Sequence, residues 1–318
     1  MRLFYIAYVP LGPCIPCENP YERGEVLSAT ASAVRPYLPA GTVFVRFDPP
    51  WTCGDGSVAS KRDAVLRGGT ERGGGDGSIG GARTARARKA PMDVQPPDTV
   101  LVDLSVSRDD MLEAMKPKWR YNVRLAEKKG VSVRRFDGKD ALAGALEEFY
   151  RLYLETAKRD GIAIHGFTYY RRLLESIGPQ RVSVYLAESG GKAIASIITL
   201  CFGTEATYLY GASSNEGRNL MPAYLLQWKA MLDAKESGCA VYDMYGIPPN
   251  ADPSHPMHGL YRFKTGFGGS VTHRVGSHDV PLIPLAYGAY ALAERARALW
   301  FKRIVKAFTR GIRRTSST

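Results

Sequence analysis

Three consecutive apolar segments between residues 181 and 213 constrain the fold of this 318-residue chain more than any other feature. The first two, RVSVYLAE and KAIASIITLCF, are separated by Gly190 and Gly191, and ATYLYGAS follows them. A glycine pair between two runs of β-branched and aromatic residues is typical of a tight β-hairpin. The segments therefore predict a mainly antiparallel sheet, continued by the third strand.

Helical patterns lie on both sides of these strands in the sequence. One covers Ala141–Lys158, and two others, in DGIAIHGFTYYRRLLESIG and PAYLLQWKAMLDAKESG, each end at a glycine, as helices often do. Further strands are predicted at Phe4–Val9, Thr42–Phe47 and Thr99–Leu104. This mixture predicts the fold class α+β, with a mixed, mainly antiparallel sheet flanked by helices.

The region after the last of these strands is predicted to hold two helices. Ser107, with an aspartate three positions later, resembles a capping box, and Pro117 separates a short helix from a longer one. Arg120, Arg124 and Lys128 are four residues apart and share one face of the longer helix. That face is either solvated or a contact surface for a polyanion.

The net charge of +12 belongs to two appendages of the chain. Residues 54–90 contain eight basic and four acidic residues and, up to residue 81, ten glycines, so a disordered insertion is predicted. From Arg295 to the end there are eight basic residues and no acidic ones. This tail lies in a long amphipathic helix predicted at Pro281–Ile312, which packs on the first domain, lies on a membrane surface or contacts RNA.

Familiar catalytic and metal-binding motifs are absent. There is no phosphate-binding P-loop and no nucleophile elbow, and Cys14 and Cys17 lack the further ligands of a zinc site. The letters RGGGDG at 72–77 match a coenzyme A signature but lie in the glycine-rich insertion. No segment has the ~18 apolar residues needed to cross a bilayer. These absences favour a reaction whose substrate is already activated, such as the aminolysis of an ester.

One lysine stands out among aromatic residues. In GLYRFKTGFGG, Lys264 follows Phe263 and precedes Phe267, and two glycines close the segment. The lysine stem either covers apolar surface while its amine reaches water, or the amine is a cation aimed at a phosphate or a developing oxyanion.

Two long motifs identify a resemblance. The segments MKPKWRYNVRLAEKKGVSV and YDMYGIPPNADPSHPMHGLYRFKTGFGG, together with AYVPLGP and YLYGASSNEGRNLMPAYLLQW, resemble the FemABX family of aminoacyl-tRNA-dependent transferases, which build peptidoglycan side branches. The resemblance covers most of the chain from Tyr5 to Val275, apart from the insertion. It implies two acetyltransferase-like (GNAT-like) domains that work without acetyl-coenzyme A or any other cofactor.

The resemblance also implies the domain bounds. Residues 1–135 would form a first GNAT-like domain, N-terminally incomplete and carrying the insertion at about 54–90; residues 136–276 a second; and residues 277–318 the basic C-terminal helix. The chain lacks the long coiled-coil arm of some family members.

The implied partners are aminoacyl-tRNA as donor and a UDP-linked or lipid-linked peptidoglycan precursor as acceptor. The new amide would form on the side-chain amine of the diamino acid at the third position of the stem peptide. The protein is expected in the cytoplasm, peripheral at the inner face of the membrane, with the C-terminal helix touching the membrane surface.

Individual positions match the motifs of the family. Phe263 and Lys264 fall at the contact with the tRNA end and the transition state, and Tyr210 falls where an aromatic residue touches the precursor. His165 and Tyr169 fall near phosphate contacts. Asp243 matches an aspartate of the family, and we interpret either this residue or a group of the substrate as the proton acceptor. Arg120 and Arg124, on the longer helix, are candidates for substrate binding.

Two other functions remain open on the sequence. One is an N-acyltransferase that uses acetyl-coenzyme A, which the missing pyrophosphate loop disfavours. The other is a non-catalytic, membrane-peripheral binding protein that uses the basic tail.

Overall fold

The computed structural model describes residues 4–53, 86–178 and 181–315, with side chains up to residue 300. The chain forms two compact units: unit 1 comprises Met1–Asp98 and His273–Thr318, and unit 2 comprises Thr99–Thr272. Residues 54–85 of the predicted insertion, including the RGGGDG match, lie outside the described residues. The prediction of disorder is wrong for residues 86–90, which include a short paired strand at Arg88–Lys89. The α+β class predicted from the sequence is confirmed.

Unit 1 is built on a small mixed sheet. Its strands are β1 (Tyr5–Val9), β2 (Thr42–Phe47), β3 (Arg88–Lys89) and β11 (His278–Pro281), in the order β1-β2-β11-β3. Strands β1 and β2 are parallel, whereas β11 runs antiparallel to both β2 and β3. Helix α1 (Arg23–Val34) contributes Leu27 and Ala31 to a core shared with the sheet.

The C-terminal helix α8 (Pro284–Thr315) belongs to unit 1. Tyr287 and Ala291 pack against Phe44 of β2, so the first of the three interpretations, packing on the first domain, is confirmed for this part of the helix. A buried ion-pair cluster lies beside these contacts: Arg46 donates to Asp279 of β11 at 2.7 Å and to Glu294 of α8 at 2.9 Å. Among the described residues, no helix is both long and apolar enough to cross a membrane.

Unit 2 is built on a seven-stranded sheet in the order β10-β4-β9-β8-β7-β6-β5. Its strands are β4 (Asp98–Asp103), β5 (Ser132–Asp137), β6 (Val182–Ser189), β7 (Lys192–Phe202), β8 (Glu205–Ser213), β9 (Val241–Asp243) and β10 (Ser270–His273). The hairpin predicted at Gly190 and Gly191 joins β6 to β7, and β8 continues the antiparallel sheet as expected. The pairing of β8 with β9 is parallel.

Helices cover both faces of this sheet. They are α2 (Arg108–Ala114), α3 (Pro117–Lys128), α4 (Leu146–Asp160), α5 (Phe167–Ile177), α6 (Pro222–Glu236) and α7 (His258–Lys264). Along β6, Tyr185 packs in a core with α3 and α6, and Val184 packs in a second core with α4 and α5. The strand therefore sends alternate side chains to opposite faces, as its apolar sequence requires.

The predicted boundaries after residues 135 and 276 differ from the limits of these units. Residue 135 lies inside β5, which pairs with β6 along its whole length. Residues 278–281 form β11 in the sheet of unit 1, so the chain returns to this sheet before α8 begins.

Candidate functional site

The two long sequence motifs meet in unit 2 at the junction of α2 and α3. The backbone N–H of Lys116 donates to the carbonyl oxygen of Gly266 at 2.9 Å, and the indole N–H of Trp119 donates to the carbonyl oxygen of Phe263 at 2.8 Å. The capping box at the start of α2 is confirmed, because Ser107 accepts from the backbone N–H of residue 110 and the carboxylate there accepts in return. The two hydrogen bonds from Lys116 and Trp119 hold α7 and the segment after it against α3.

The glycines that follow α7 are required by close packing. A Cβ at Gly266 would lie 2.1 Å from the ring of Trp119, and one at Gly268 would lie 2.7 Å from Cβ of Ala114. Gly268 also has a φ of +86°, which favours glycine. The GFGG ending therefore lets the segment after Lys264 lie directly on the α2–α3 junction.

Lys264 ends α7 and points into the protein. Its side chain is 5% exposed, and Nζ donates to the carbonyl oxygens of Tyr245 at 3.2 Å and Gly246 at 2.9 Å. The ammonium also lies 5.1 Å from the ring centroid of Tyr208 on β8, at cation–π distance. The Tyr208 hydroxyl fits over Gly211, where a Cβ would lie 1.9 Å from it.

Loss of hydration dominates the electrostatics of Lys264. Burial lowers its pKa from 10.5 to about 7, and the negative charge of Asp243 opposes this shift. Among the described residues, the ion pairs do not include Lys264. A buried cation held by neutral carbonyls and a ring gains more than an exposed one when negative charge appears beside it.

Asp243 lies at the end of β9 and is 4% exposed. Its Oδ1 accepts from the hydroxyl of Thr99 and from the backbone N–H of Tyr245, the latter at 2.7 Å. The predicted role as proton acceptor needs a carboxylate oxygen directed at the substrate amine. The observed contacts place Oδ1 in the turn after β9, and the role of Asp243 as proton acceptor stays a prediction.

His165, Tyr169 and Tyr210 come together as a second group in unit 2. The hydroxyls of Tyr169 and Tyr210 lie 3.3 Å apart, and the ring of His165 stacks on Tyr169 with centroids 4.1 Å apart. The rings of Tyr170 and Tyr153 pack edge-on against the ring of Tyr210, with centroids 5.2 and 6.2 Å away. His165 and Tyr169 are exposed, so this group presents polar aromatic edges to a ligand.

Lys264 and this aromatic group lie on opposite faces of the sheet of unit 2. Tyr208 and Tyr210 are both on β8, but Tyr208 packs with the core of α3 and α6, whereas Tyr210 packs with the core of α4 and α5. Lys264 contacts Tyr208, so the residues predicted from separate motifs form two groups on the same strand.

The structure separates the roles of the two predicted arginines. Nη1 of Arg120 donates to the carbonyl oxygens of Leu112, Glu113 and Met115 at 3.3, 2.8 and 2.6 Å. It therefore supplies a hydrogen-bond donor to carbonyl groups at the C-terminal end of α2, which lack partners within the helix. Arg124, one turn further along α3, is exposed. Arg120 therefore has a stabilising role that its spacing from Arg124 did not indicate, and Arg124 is the arginine of this pair on the solvent face.

Sequence reasoning missed Thr99, Trp119, Tyr208 and Tyr245 as parts of this arrangement. Tyr245 is a non-glycine residue in the left-handed region, with a φ of +58°, and no sequence signal marks it. Trp119 could have been found, because it lies in the same motif as Arg120. Cys14 and Cys17 are free thiols, and no cluster of potential metal ligands occurs among the described residues.

Solved structures with the same fold are known. The crystal structure of FemX matches with a TM-score of 0.71 at 18% identity, covering 91% of this chain and 84% of that one. The C-terminal domain of a putative lysylphosphatidylglycerol synthetase from Agrobacterium fabrum matches with a TM-score of 0.51 at 15% identity, covering 88% and 78%. At these identities the likeness shows the fold alone.

Relatives are also found by sequence. The lipid II:glycine glycyltransferase of Staphylococcus saprophyticus is 22% identical over an alignment of 251 residues that covers 59% of each chain. That of Staphylococcus aureus strain USA300 is 22% identical over an alignment of 256 residues. The alignment thus spans about three fifths of the length of these relatives. A model of the FemAB family matches residues 1–192 and 188–295, a span that includes both motifs joined at the α2–α3 junction, and the chain belongs to the FemAB family.

Proposed function

We propose that the chain is an aminoacyltransferase of peptidoglycan synthesis. It transfers an amino acid from aminoacyl-tRNA to the side-chain amine of the third-position diamino acid in a precursor stem peptide. The observation that carries this proposal is the buried ammonium of Lys264, held by two carbonyl oxygens at the meeting point of the two family motifs. The names of the relatives, which are lipid II:glycine glycyltransferases, support the precursor as the acceptor class.

The reaction needs little from the protein besides position and charge. The neutral amine attacks the ester carbonyl, a tetrahedral intermediate with an oxyanion forms, and the bond between the carbonyl carbon and the ribose oxygen then breaks. The attacking nitrogen loses a proton as the neutral amide forms, and the leaving ribose oxygen gains one and becomes a hydroxyl. The ammonium of Lys264 would stabilise the oxyanion, and donors of this kind contribute about 10²–10³ in kcat.

The acceptor amine must be neutral before it attacks. A lysine-type amine has a reference pKa of about 10.4, so most of it is charged at neutral pH. A positive charge at Lys264 would repel that ammonium and favour its neutral form if the two amines lie close together. Position and charge at Lys264 thus serve both the nucleophile and the oxyanion.

The exposed aromatic group supports binding of the acceptor. His165 and Tyr169 present a stacked pair at the surface, and Tyr210 joins them through its hydroxyl. Phenol and imidazole groups suit the phosphate, sugar and peptide parts of a precursor. Arg124, exposed on α3, is our candidate contact for the tRNA backbone.

We place the protein in the cytoplasm, peripheral at the inner face of the membrane. Leu285, Leu292 and Leu299 lie seven residues apart on α8 and are 90%, 70% and 63% exposed, on a face other than the one that packs on Phe44. The tail from Arg295 onward carries eight basic residues and no acidic ones, which suits an anionic lipid surface. Leucines in this position favour lipid over RNA, and sedimentation with anionic vesicles tests the contact.

The test of the transfer reaction uses a pool of tRNA charged with radiolabelled amino acids and peptidoglycan precursors as acceptors. We expect label in the precursor that disappears after RNase treatment of the donor. A precursor whose side-chain amine has been acetylated is the matched control and should remain unlabelled. Label that survives RNase, or that requires acetyl-coenzyme A, would contradict the proposal.

A further inference from the structure

The chain after β9 adopts a conformation that needs support. Tyr245 has a φ of +58°, and the left-handed region is unfavourable for a residue other than glycine because its Cβ lies too close to the following carbonyl oxygen. This conformation turns the carbonyl oxygens of Tyr245 and Gly246 towards Nζ of Lys264. The surroundings must therefore hold the turn in place for Lys264 to keep its partners.

Two contacts of Asp243 provide this support. Its Oδ1 accepts from the backbone N–H two residues ahead, at Tyr245, which is the hydrogen bond of an Asx-turn. The same oxygen accepts from the hydroxyl of Thr99 on β4, the strand next to β9. In addition, the backbone N–H of Met244 donates to the carbonyl oxygen of Val100 at 2.9 Å. The turn is thus tied to β4 through the side chain of Asp243 and the backbone of Met244.

We propose that Asp243 and Thr99 are positioning residues for Lys264: they hold the turn whose two carbonyl oxygens orient the ammonium. This inference rests on the proposed function only for its effect on catalysis. The effect on Lys264 itself is measurable without any substrate. Neither side chain needs to touch the reacting atoms for this role.

The chain offers a matched control on the same pair of strands. Asp103 lies on β4 opposite Val241 of β9, and it accepts from the backbone N–H two residues ahead, at Ser105, at 2.8 Å. It therefore makes the same kind of turn as Asp243, but at an exposed end of the strand. D103N removes a comparable charge and leaves the turn at Tyr245 untouched.

The experiment compares T99V, T99S, D243N and D103N in two measurements. The first is the titration of the Lys264 side chain by NMR of 13C-labelled lysine, with K264R to assign the signal. Because the negative charge of Asp243 raises the pKa of Lys264, D243N should make Lys264 lose its proton at a lower pH than in the wild type. D103N should leave this titration unchanged.

The second measurement is transfer kinetics. T99V should lower kcat about tenfold or more with little change in either KM, since the ammonium is misplaced rather than removed. T99S keeps the hydroxyl, so its kcat should be close to that of the wild type. D243N should move the alkaline fall of kcat to lower pH. A merely structural role would lower the melting temperature without moving the pH profile.

The outcomes separate this inference from the proposed function. If folded D243N leaves the Lys264 titration where it is in the wild type, or T99V keeps full kcat, the positioning role is wrong. If the wild type transfers nothing while D243N still shifts the titration, the proposed reaction is wrong and the positioning of Lys264 stands.

Discussion

The burial of Lys264 leads to a stability prediction whose sign reverses with pH. Its pKa falls from 10.5 to about 7 on folding because the ammonium loses its hydration. Below the folded pKa the ammonium is charged in both states, so the folded state carries the full cost. Between the two pKa values the unfolded chain binds more protons, so stability rises with pH. At about 1.36 kcal/mol per unit, the cost at pH 7 is about 4 kcal/mol.

Replacement of Lys264 by methionine removes the cost of burying the ammonium, and it also removes the two hydrogen bonds that the ammonium donates. The carbonyl oxygens of Tyr245 and Gly246 lose their donor, at about 1 kcal/mol for each hydrogen bond. K264M should therefore be more stable than the wild type by about 2 kcal/mol at pH 7. Near pH 10.5 it should be less stable by about 2 kcal/mol, with the two stabilities equal at about pH 9.

The assay is urea denaturation at several pH values, followed by the fluorescence of Trp119 and Trp228, which lie in unit 2. K235M is the matched control, because Nζ of Lys235 also donates to two carbonyl oxygens, both at 2.7 Å, from a half-exposed side chain. It measures the loss of such bonds without full burial. A difference between K264M and the wild type that stays constant with pH would refute the reasoning.

Three further predictions concern packing, charge and surface. G268A should destabilise the protein by about 2–5 kcal/mol in urea denaturation, since its φ is +86° and the new Cβ would clash with Ala114; a loss below about 0.5 kcal/mol would contradict this. R46M should cost about 3–5 kcal/mol, because two buried carboxylates lose their partner, and calorimetry should show a lower melting temperature. L292E should weaken sedimentation with anionic vesicles, whereas equal binding to neutral vesicles, or salt-independent binding, would contradict an electrostatic lipid contact.

Local patterns predicted much of unit 2. The glycine pair at 190 and 191 and the capping box at Ser107 depend on residues within a few positions of each other, and both are confirmed. The apolar periods of the strands and helices likewise follow from local sequence. The resemblance to the FemABX family then brought distant motifs together, and the contact of Trp119 with Phe263 confirms that they meet.

Features that depend on contacts between residues far apart in the sequence were not predicted. The role of Arg120 depends on where the carbonyl groups at the end of α2 lie after Pro117 breaks the helix, and spacing along α3 does not show this. The return of residues 278–281 to the sheet of unit 1 is a pairing of strands more than 200 positions apart, with Asp279 opposite Arg46. The left-handed conformation of Tyr245 depends on Asp243 and on a threonine from another strand.

Single-turnover transfer from aminoacyl-tRNA to the precursor, with wild type, K264M and K235M in parallel, tests the central claim most directly. If the buried ammonium of Lys264 stabilises the oxyanion, K264M should be folded and slower by about 10²–10³ with similar substrate affinity, while K235M should transfer at the wild-type rate. Folded K264M that transfers as fast as the wild type would contradict the account.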